Sequence, residues 1–275
     1  ISFRKKNIVK FFQTIWTIKL KNKFTILGCG SSLGSPWITN YWGNCNKKNK
    51  KNIRTRCCAH FQYKNISTLI DTSPDLKTQF KHNNIKKVDA VIYTHEHADQ
   101  TSGIFELRPF FWKNKKKIDI FGSKKTIKEL RDKYDFCFKS KQGYTPIAKD
   151  HTIKSSFFIK KNKNKIKINS FEVEHGLIKA TAYIINKTAY LSDCSHIPDK
   201  SKHFLFDLDY LIIDCLRVKF HPGHFNLATA LSLSKELKPK KTILTNLHVD
   251  FDYEKLKRKL PSNILPAFDG MSFNF

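Results

Sequence analysis

Val88-Asp89-Ala90-Val91-Ile92-Tyr93-Thr94-His95-Glu96-His97-Ala98-Asp99-Gln100 is the stretch on which the reading of this chain turns. Residues 88–93 form a short apolar run, read as a buried strand that delivers Thr-His-Glu-His-Ala-Asp-Gln at its C-terminal end. Histidines at i and i+2 on an extended segment point the same way, so His95 and His97 can grip one ion while Asp99 reaches a neighbouring position. Other strands end alike. Asp71 follows residues 68–70, His175 closes the alternation of Ile166, Ile168, Phe171 and Val173, Asp193 follows residues 189–191, and residues 242–244 run out toward His248. Open α/β sheets place ligand sites at such strand ends. Seven imidazoles and carboxylates gathered there (Asp71, His95, His97, Asp99, His175, Asp193, His248) would repel one another or stay unpaired without a cation. With one they form a mixed nitrogen and oxygen site suited to Zn²⁺, or to Mn²⁺ or Fe²⁺. His60, His82, His151 and His203 lack that context and read as ordinary core or surface residues.

Outward from this stretch the elements alternate. Residues 24–27 read as a strand entering the glycine-rich loop Gly28-Cys29-Gly30-Ser31-Ser32, which lacks the Gly-Lys-Ser/Thr of a nucleotide-binding loop. Strands are expected at 59–63 and 68–70. Ser73-Pro74-Asp75 reads as a helix start with Ser73 as N-cap, and the helix should end near Asn83-Asn84. Helices around 104–112 and at 125–134, 227–237 and 253–260 separate strands at 118–121, 166–175, 182–185, 189–191, 210–213 and 242–244. The result is one α/β domain over residues 24–275. Residues 1–23, basic and aromatic, lack the cleavage site and unbroken apolar core of a secretory signal and are read as an extension outside the fold.

Composition sets the outer limits. With 275 residues and 40% hydrophobic content the chain can bury a core, which excludes wholesale disorder and a disulfide scaffold. Its longest uncharged run, residues 24–46, is interrupted by glycines, serines, asparagines and Pro36, so no membrane span is expected. The net charge is +28, yet only 7 of the 51 basic residues are arginine, and the lysines come with abundant asparagine, isoleucine and phenylalanine. That is the residue usage of an AT-rich genome, so contact with nucleic acid is expected to be weak and nonspecific. Residues 1–70 carry 14 basic and no acidic residues, half of the excess. Seven cysteines without a C-x-x-C pair indicate a reducing, cytoplasmic setting.

The run His95-Glu96-His97-Ala98-Asp99-Gln100 resembles the H-x-H-x-D-H signature of the metallo-β-lactamase superfamily, and the likeness extends over residues 24–275. The opening Leu27-Gly28-Cys29-Gly30-Ser31-Ser32-Leu33-Gly34, the segment Leu69-Ile70-Asp71-Thr72-Ser73-Pro74-Asp75 and the ending Phe268-Asp269-Gly270-Met271 are similar to its phosphoribosyl cyclic-phosphate phosphodiesterase branch. The resemblance implies a four-layer αββα sandwich and one or two Zn²⁺ or Mn²⁺ ions. His95, His97 and His175 would bind the first ion, Asp99 and His248 the second, with Asp193 bridging and Asp71 orienting a ligand histidine. The chain departs from the pattern in three places. Gln100 stands where the family has a histidine on the second ion, which should then be held loosely or be Mn²⁺. Thr245-Asn246-Leu247-His248 has asparagine where Thr-His is expected; both Asn246 and His248 can face the site, and His248 is chosen on chemistry. Only Cys45 lies where the branch carries a structural zinc on cysteines, so none is expected.

The activity expected is that of a metal-dependent phosphodiesterase. A bound ion lowers the pKa of its water to about 7, supplying a hydroxide nucleophile, and an alkoxide leaving group needs a proton donor. His221-Pro222-Gly223-His224 supplies candidates, and the resemblance favours His224. Arg217 is a candidate phosphate clamp because a guanidinium binds two oxygens at once; Arg54 and Arg56 are weaker ones. The expected partner is a small phosphodiester, preferably cyclic, with a second copy of the chain as a homodimer partner. Four other readings stay open: a ribonuclease Z-like nuclease, a glyoxalase II-like thioesterase, a metal-depleted nucleic-acid-binding protein, and lipid association through residues 1–23.

Overall fold

A computed structural model of the chain describes residues 22–140 and 143–275. Apart from Asn22 and Lys23, the expected N-terminal extension lies outside them, and Lys23 already opens the first strand. Among the described residues two seven-stranded sheets are formed. The first contains β1 (Lys23–Gly28), β2 (Cys58–Tyr63), β3 (Ile66–Ile70), β4 (Ala90–Ile92), β5 (Ile118–Gly122) and β6 (Ala148–Thr152), with a terminal strand, Ser272–Asn274, on the outer edge of β1. The second contains β7 (Ser156–Lys161), β8 (Asn164–His175), β9 (Ile178–Ile185), β10 (Thr188–Leu191), β11 (Tyr210–Asp214), β12 (Lys241–Thr245) and β13 (Ile264–Pro266), side by side in that order. The terminal strand is β14. In each sheet one half is antiparallel and the other parallel: β3 to β6 run parallel, as do β10 to β13.

Period-two patterning decides the layers. Ile70, Ile92, Ile212 and Ile243 point between the sheets and pack with Phe24, Phe61, Tyr183 and Tyr190. Their neighbours Leu69, Val91, Leu211, Ile213 and Leu244 point outward. On the first sheet the outward residues meet Leu76, Phe80, Ile127 and Leu130; on the second they meet Ala230, Leu233, Leu237 and Leu256. These come from the helices Leu76–Asn83, Lys124–Lys133, Leu227–Leu237 and Tyr253–Lys259. Helix, sheet, sheet, helix is the four-layer α/β sandwich expected from the sequence.

The loop after β1 returns across the strand ends, and glycine permits its closest approach. A Cβ at Gly28 would stand 2.1 Å from the Arg56 carbonyl oxygen, and Gly34 has φ +66°. The helix expected at Ser73 begins at Leu76 instead, because Ser73 Oγ accepts the Asp75 amide in a turn that precedes it.

Candidate metal centre

Two strand ends of the first sheet and four of the second converge, β11 ending on Asp214. Beyond β4 the chain passes Tyr93 and Thr94, and His95 enters fully buried. His97 caps the short helix Ala98–Thr101 that carries Asp99 and Gln100. β8 ends on His175, and β10 leads to Asp193. Asp71 and Asn246, immediately after β3 and β12, adopt left-handed backbone with φ +65° and +60°, a conformation that Asp and Asn tolerate through their short polar side chains.

The rings of His95, His97 and His175 face one another edge to face, with centroids 4.6, 5.0 and 5.1 Å apart. Their hydrogen bonds set the tautomers. His175 Nδ1 donates to the Gly223 carbonyl at 2.6 Å, which leaves Nε2 as a lone pair, 3.3 Å from His97 Nδ1. Asp71 accepts the Thr94 amide at 2.7 Å and the Thr94 hydroxyl at 2.9 Å. That hydroxyl therefore accepts from His95 Nδ1 at 3.0 Å, and His95 Nε2 is left buried as a lone pair with no partner. A tetrahedral Zn²⁺ with bonds of about 2.0–2.1 Å holds neighbouring nitrogens roughly 3.3 Å apart. The orphaned His95 Nε2 and the facing His97 and His175 nitrogens thus fit a divalent ion. Asp71 acts on His95 through Thr94, a residue the sequence reading passed over because a threonine one position before a histidine carries no motif.

The other side is built from carboxylates. Asp193 is buried; desolvation raises its carboxyl, but His95, His224 and His175 outweigh this and hold it below the ordinary range. Asp99 is pushed up to about 6 by burial and by Asp193. His224 Nδ1 donates to Asp214 Oδ2 at 2.7 Å and lies 4.0 Å from Asp193 Oδ1. Burial disfavours its charged form, but Asp214, Asp193 and Asp99 prevail and raise it to about 9. Ligand atoms of His175, Asp193 and His224 lie close enough to form a second donor cluster beside the three histidines. Gln100 Nε2 donates to Asp193 Oδ2 at 3.2 Å, and Asn246 Nδ2 to Asp214 Oδ1 at 3.2 Å. Asn246 therefore sits among the carboxylates, whereas His248 stands further out: its ring packs on Trp37 at 5.7 Å and its Nδ1 lies 3.2 Å from Asp250.

His97, Asp99, His175, Asp193, His224 and Asn246 line a cavity of about 390 Å³ together with Ser31, Arg217 and His221. Arg217 donates one terminal nitrogen to the Phe220 carbonyl at 2.9 Å, while its Nε is buried without a partner, as is Ser31 Oγ. Arg54, a weaker clamp candidate in the sequence reading, is buried away from the cavity and donates to the His248 and Phe251 carbonyls and to Asn52 Oδ1. Arg56 pairs with Asp75 at 2.8 Å. Neither lines the cavity. The seven cysteines are free and buried; Cys45 donates to the Val249 and Phe251 carbonyls.

Residues 67–246 match the family model of the β-lactamase superfamily domain, and the chain belongs to that superfamily. A crystal structure of a diphosphatase from the PhnP family is 32% identical, with a TM-score of 0.85 over 93% of this chain and 97% of that one. The Zn²⁺-bound PqqB of Methylobacterium extorquens (14% identity, TM-score 0.72, 92% of this chain and 100% of that one) shares the fold. So does the short form of human tRNase Z (16%, 0.65, 92% and 98%). A curated octanoyltransferase of Porphyromonas gingivalis is 27% identical over 90% of this chain, but the chain spans only 50% of its length.

Proposed function

We propose that this member of the β-lactamase superfamily is a metal-dependent phosphodiesterase that cleaves a small phosphodiester, preferably a cyclic one. Membership of the superfamily and the likeness to the PhnP family make a metal-dependent hydrolase the class of enzyme. The observation that carries the finer reading is a pair of side-chain donors left without partners on residues that line the same cavity as His97 and His175. Arg217 Nε and Ser31 Oγ are buried without partners in the wall of a cavity of about 390 Å³. Such a volume suits a small molecule, and unpaired buried donors are costly unless a ligand with acceptor oxygens meets them. A phosphodiester offers two nonbridging oxygens for the purpose.

His95, His97 and His175 would hold the ion, which when bound supplies Lewis acidity and an activated water. Arg217 and Ser31 orient the phosphate against that side of the cavity. His224, tied by Nδ1 to Asp214, keeps its Nε2 for the leaving oxygen, to which it gives a proton. Asp71 and Thr94 hold His95 in the tautomer whose Nε2 can bind.

The test is metal analysis of the purified protein, followed by a screen on bis(p-nitrophenyl) phosphate, ribosyl cyclic phosphate, cyclic nucleotides, a nucleoside diphosphate, pre-tRNA and a thioester. Chelator-sensitive hydrolysis of the small phosphodiesters is expected. Turnover confined to pre-tRNA or to the thioester would overturn the reading. Binding to nucleic acid should be weak and fall steeply with salt, as counterion release requires.

A further inference from the structure

We propose that this chain holds a single divalent ion, on His95, His97 and His175, and that the amides of Gln100 and Asn246 close the neighbouring second position. The proposal rests on the reading of a metal-dependent hydrolase given above, and narrows the one or two ions of the family resemblance to one.

Both departures from the family pattern fall on the same spot. Gln100 and Asn246 stand where the resemblance would have two histidines for a second ion, and both side chains are buried. Gln100 Nε2 donates to Asp193 Oδ2 at 3.2 Å. Asn246 Nδ2 lies 3.4 Å from the other Asp193 oxygen and 3.2 Å from Asp214 Oδ1. The carboxylate that would bridge two ions thus meets an amide N–H at each oxygen. An amide nitrogen has no lone pair to give a cation. Turning the Gln100 amide over would set its oxygen against Asp193 Oδ2, acceptor against acceptor, in a buried place where unmet polar groups are costly. At Asn246 the same nitrogen lies 3.1 Å from His224 Nδ1, and its two carboxylate contacts outnumber that one. The carboxylates therefore hold the amides in the donor orientation.

The two positions differ in what they leave unpaired. The first leaves His95 Nε2, a buried lone pair. The second leaves Gln100 Oε1, a neutral amide oxygen that is a poor match for a borderline ion. His224 Nδ1 donates to Asp214 Oδ2 at 2.7 Å, so that oxygen too is already met by an N–H. Of the further imidazoles lining the cavity, His221 Nδ1 accepts the Gly223 amide at 3.1 Å, and His248 packs its ring on Trp37 while its Nδ1, 3.2 Å from Asp250, makes no hydrogen bond.

The experiment counts ions. Apo-protein is loaded with excess Zn²⁺ or, separately, Mn²⁺, desalted, and read by elemental analysis and by calorimetric titration. One ion per chain is expected for either metal, and none in His97→Ala. Two ions per chain in the unaltered protein would overturn this proposal while leaving the hydrolase reading intact; no ion at all would overturn both. A double variant, Gln100→His with Asn246→His, should raise the count to two, since histidine tolerates the left-handed backbone of position 246 better than most residues. A double variant that folds, by its circular dichroism melt, and still binds one ion would show that the amides do not close the position. Where the double variant fails to fold, the count in the unaltered protein still decides.

Discussion

The two sides of the cavity use the same kinds of residue to opposite ends. On the side of the first sheet, Asp71 and Thr94 spend their hydrogen bonds on fixing a histidine so that one buried nitrogen stays without a partner. On the side of the second, Asp193 and Asp214 are met by Gln100, Asn246 and His224, and their oxygens are engaged. A buried carboxylate costs free energy unless it is paired or hydrogen-bonded, and either a cation or a set of donors meets that requirement. What distinguishes a metal site from a hydrogen-bonded network is therefore which atom is left over. The first side leaves a base among three facing histidines; the second leaves an amide oxygen of Gln100 and, further out, His248 Nδ1.

The sharpest way to break this contrast is to remove one residue from each side. His97→Ala and Asp193→Ala should each abolish phosphodiesterase activity, by more than the roughly 10–100-fold that loss of an outer hydrogen-bond partner costs a metal site. They should differ in cause. His97→Ala should lose the ion, measured by elemental analysis, whereas Asp193→Ala should also release Gln100 and Asn246 from their shared acceptor. Full activity with unchanged metal content in both would refute the assignment of the whole centre.

Next in size is the proton donor. His224→Ala should lower kcat by about 10²–10⁴-fold, the usual contribution of a positioned acid, and keep the ion. The loss should shrink on a substrate with a nitrophenolate leaving group, which needs no protonation. An equal loss on alkyl and nitrophenyl esters would mean that His224 holds structure and does not move a proton.

How far the sequence already showed this contrast follows from what each side depends on. His95, His97, His175 and Asp193 were legible because strand ends and an i, i+2 spacing bring them together whatever the rest does. The sheet interiors were legible for a similar reason: Ile70, Ile92, Ile212 and Ile243 alternate with outward neighbours. Edge strands were not. β6 reads Ala-Lys-Asp-His-Thr and has no apolar alternation, because one of its sides faces no partner strand. The Thr94 link was hidden since a hydroxyl that both donates and accepts is decided by geometry alone. Asn246 against His248 was an open choice in an extended segment, but Asn246 has φ +60°, which turns the chain and sends the two side chains to different surroundings. Arg54 also anchors the end of that segment and the turn beyond it through the His248 and Phe251 carbonyls.

A smaller effect tests the first side at one remove. Asp71→Asn keeps the size of the side chain but replaces one acceptor oxygen by a donor, so the Thr94 hydroxyl loses its fixed direction and His95 its fixed tautomer. Affinity for the first ion should drop by about 10–100-fold, read by competition with a chromogenic chelator. Unchanged affinity would show that Thr94 alone orients the ring.

The smallest effect is expected at His248, and it sharpens the comparison most cheaply. The resemblance made this residue a ligand of the second ion, yet its ring lies on Trp37, its Nδ1 is beside Asp250, and Asn246 stands between the carboxylates in its place. If the second position is closed by amides, His248→Ala should leave the ion count and the affinity of the first ion unaltered. Because the ring lines the cavity with His97 and His224, the variant should change KM more than kcat, by less than His224→Ala changes kcat. The measurement is a titration of the apo-variant alongside a steady-state profile on one small phosphodiester. Loss of a bound ion in His248→Ala would place a ligand on the outer side after all, and the contrast between an open first position and a closed second one would fail.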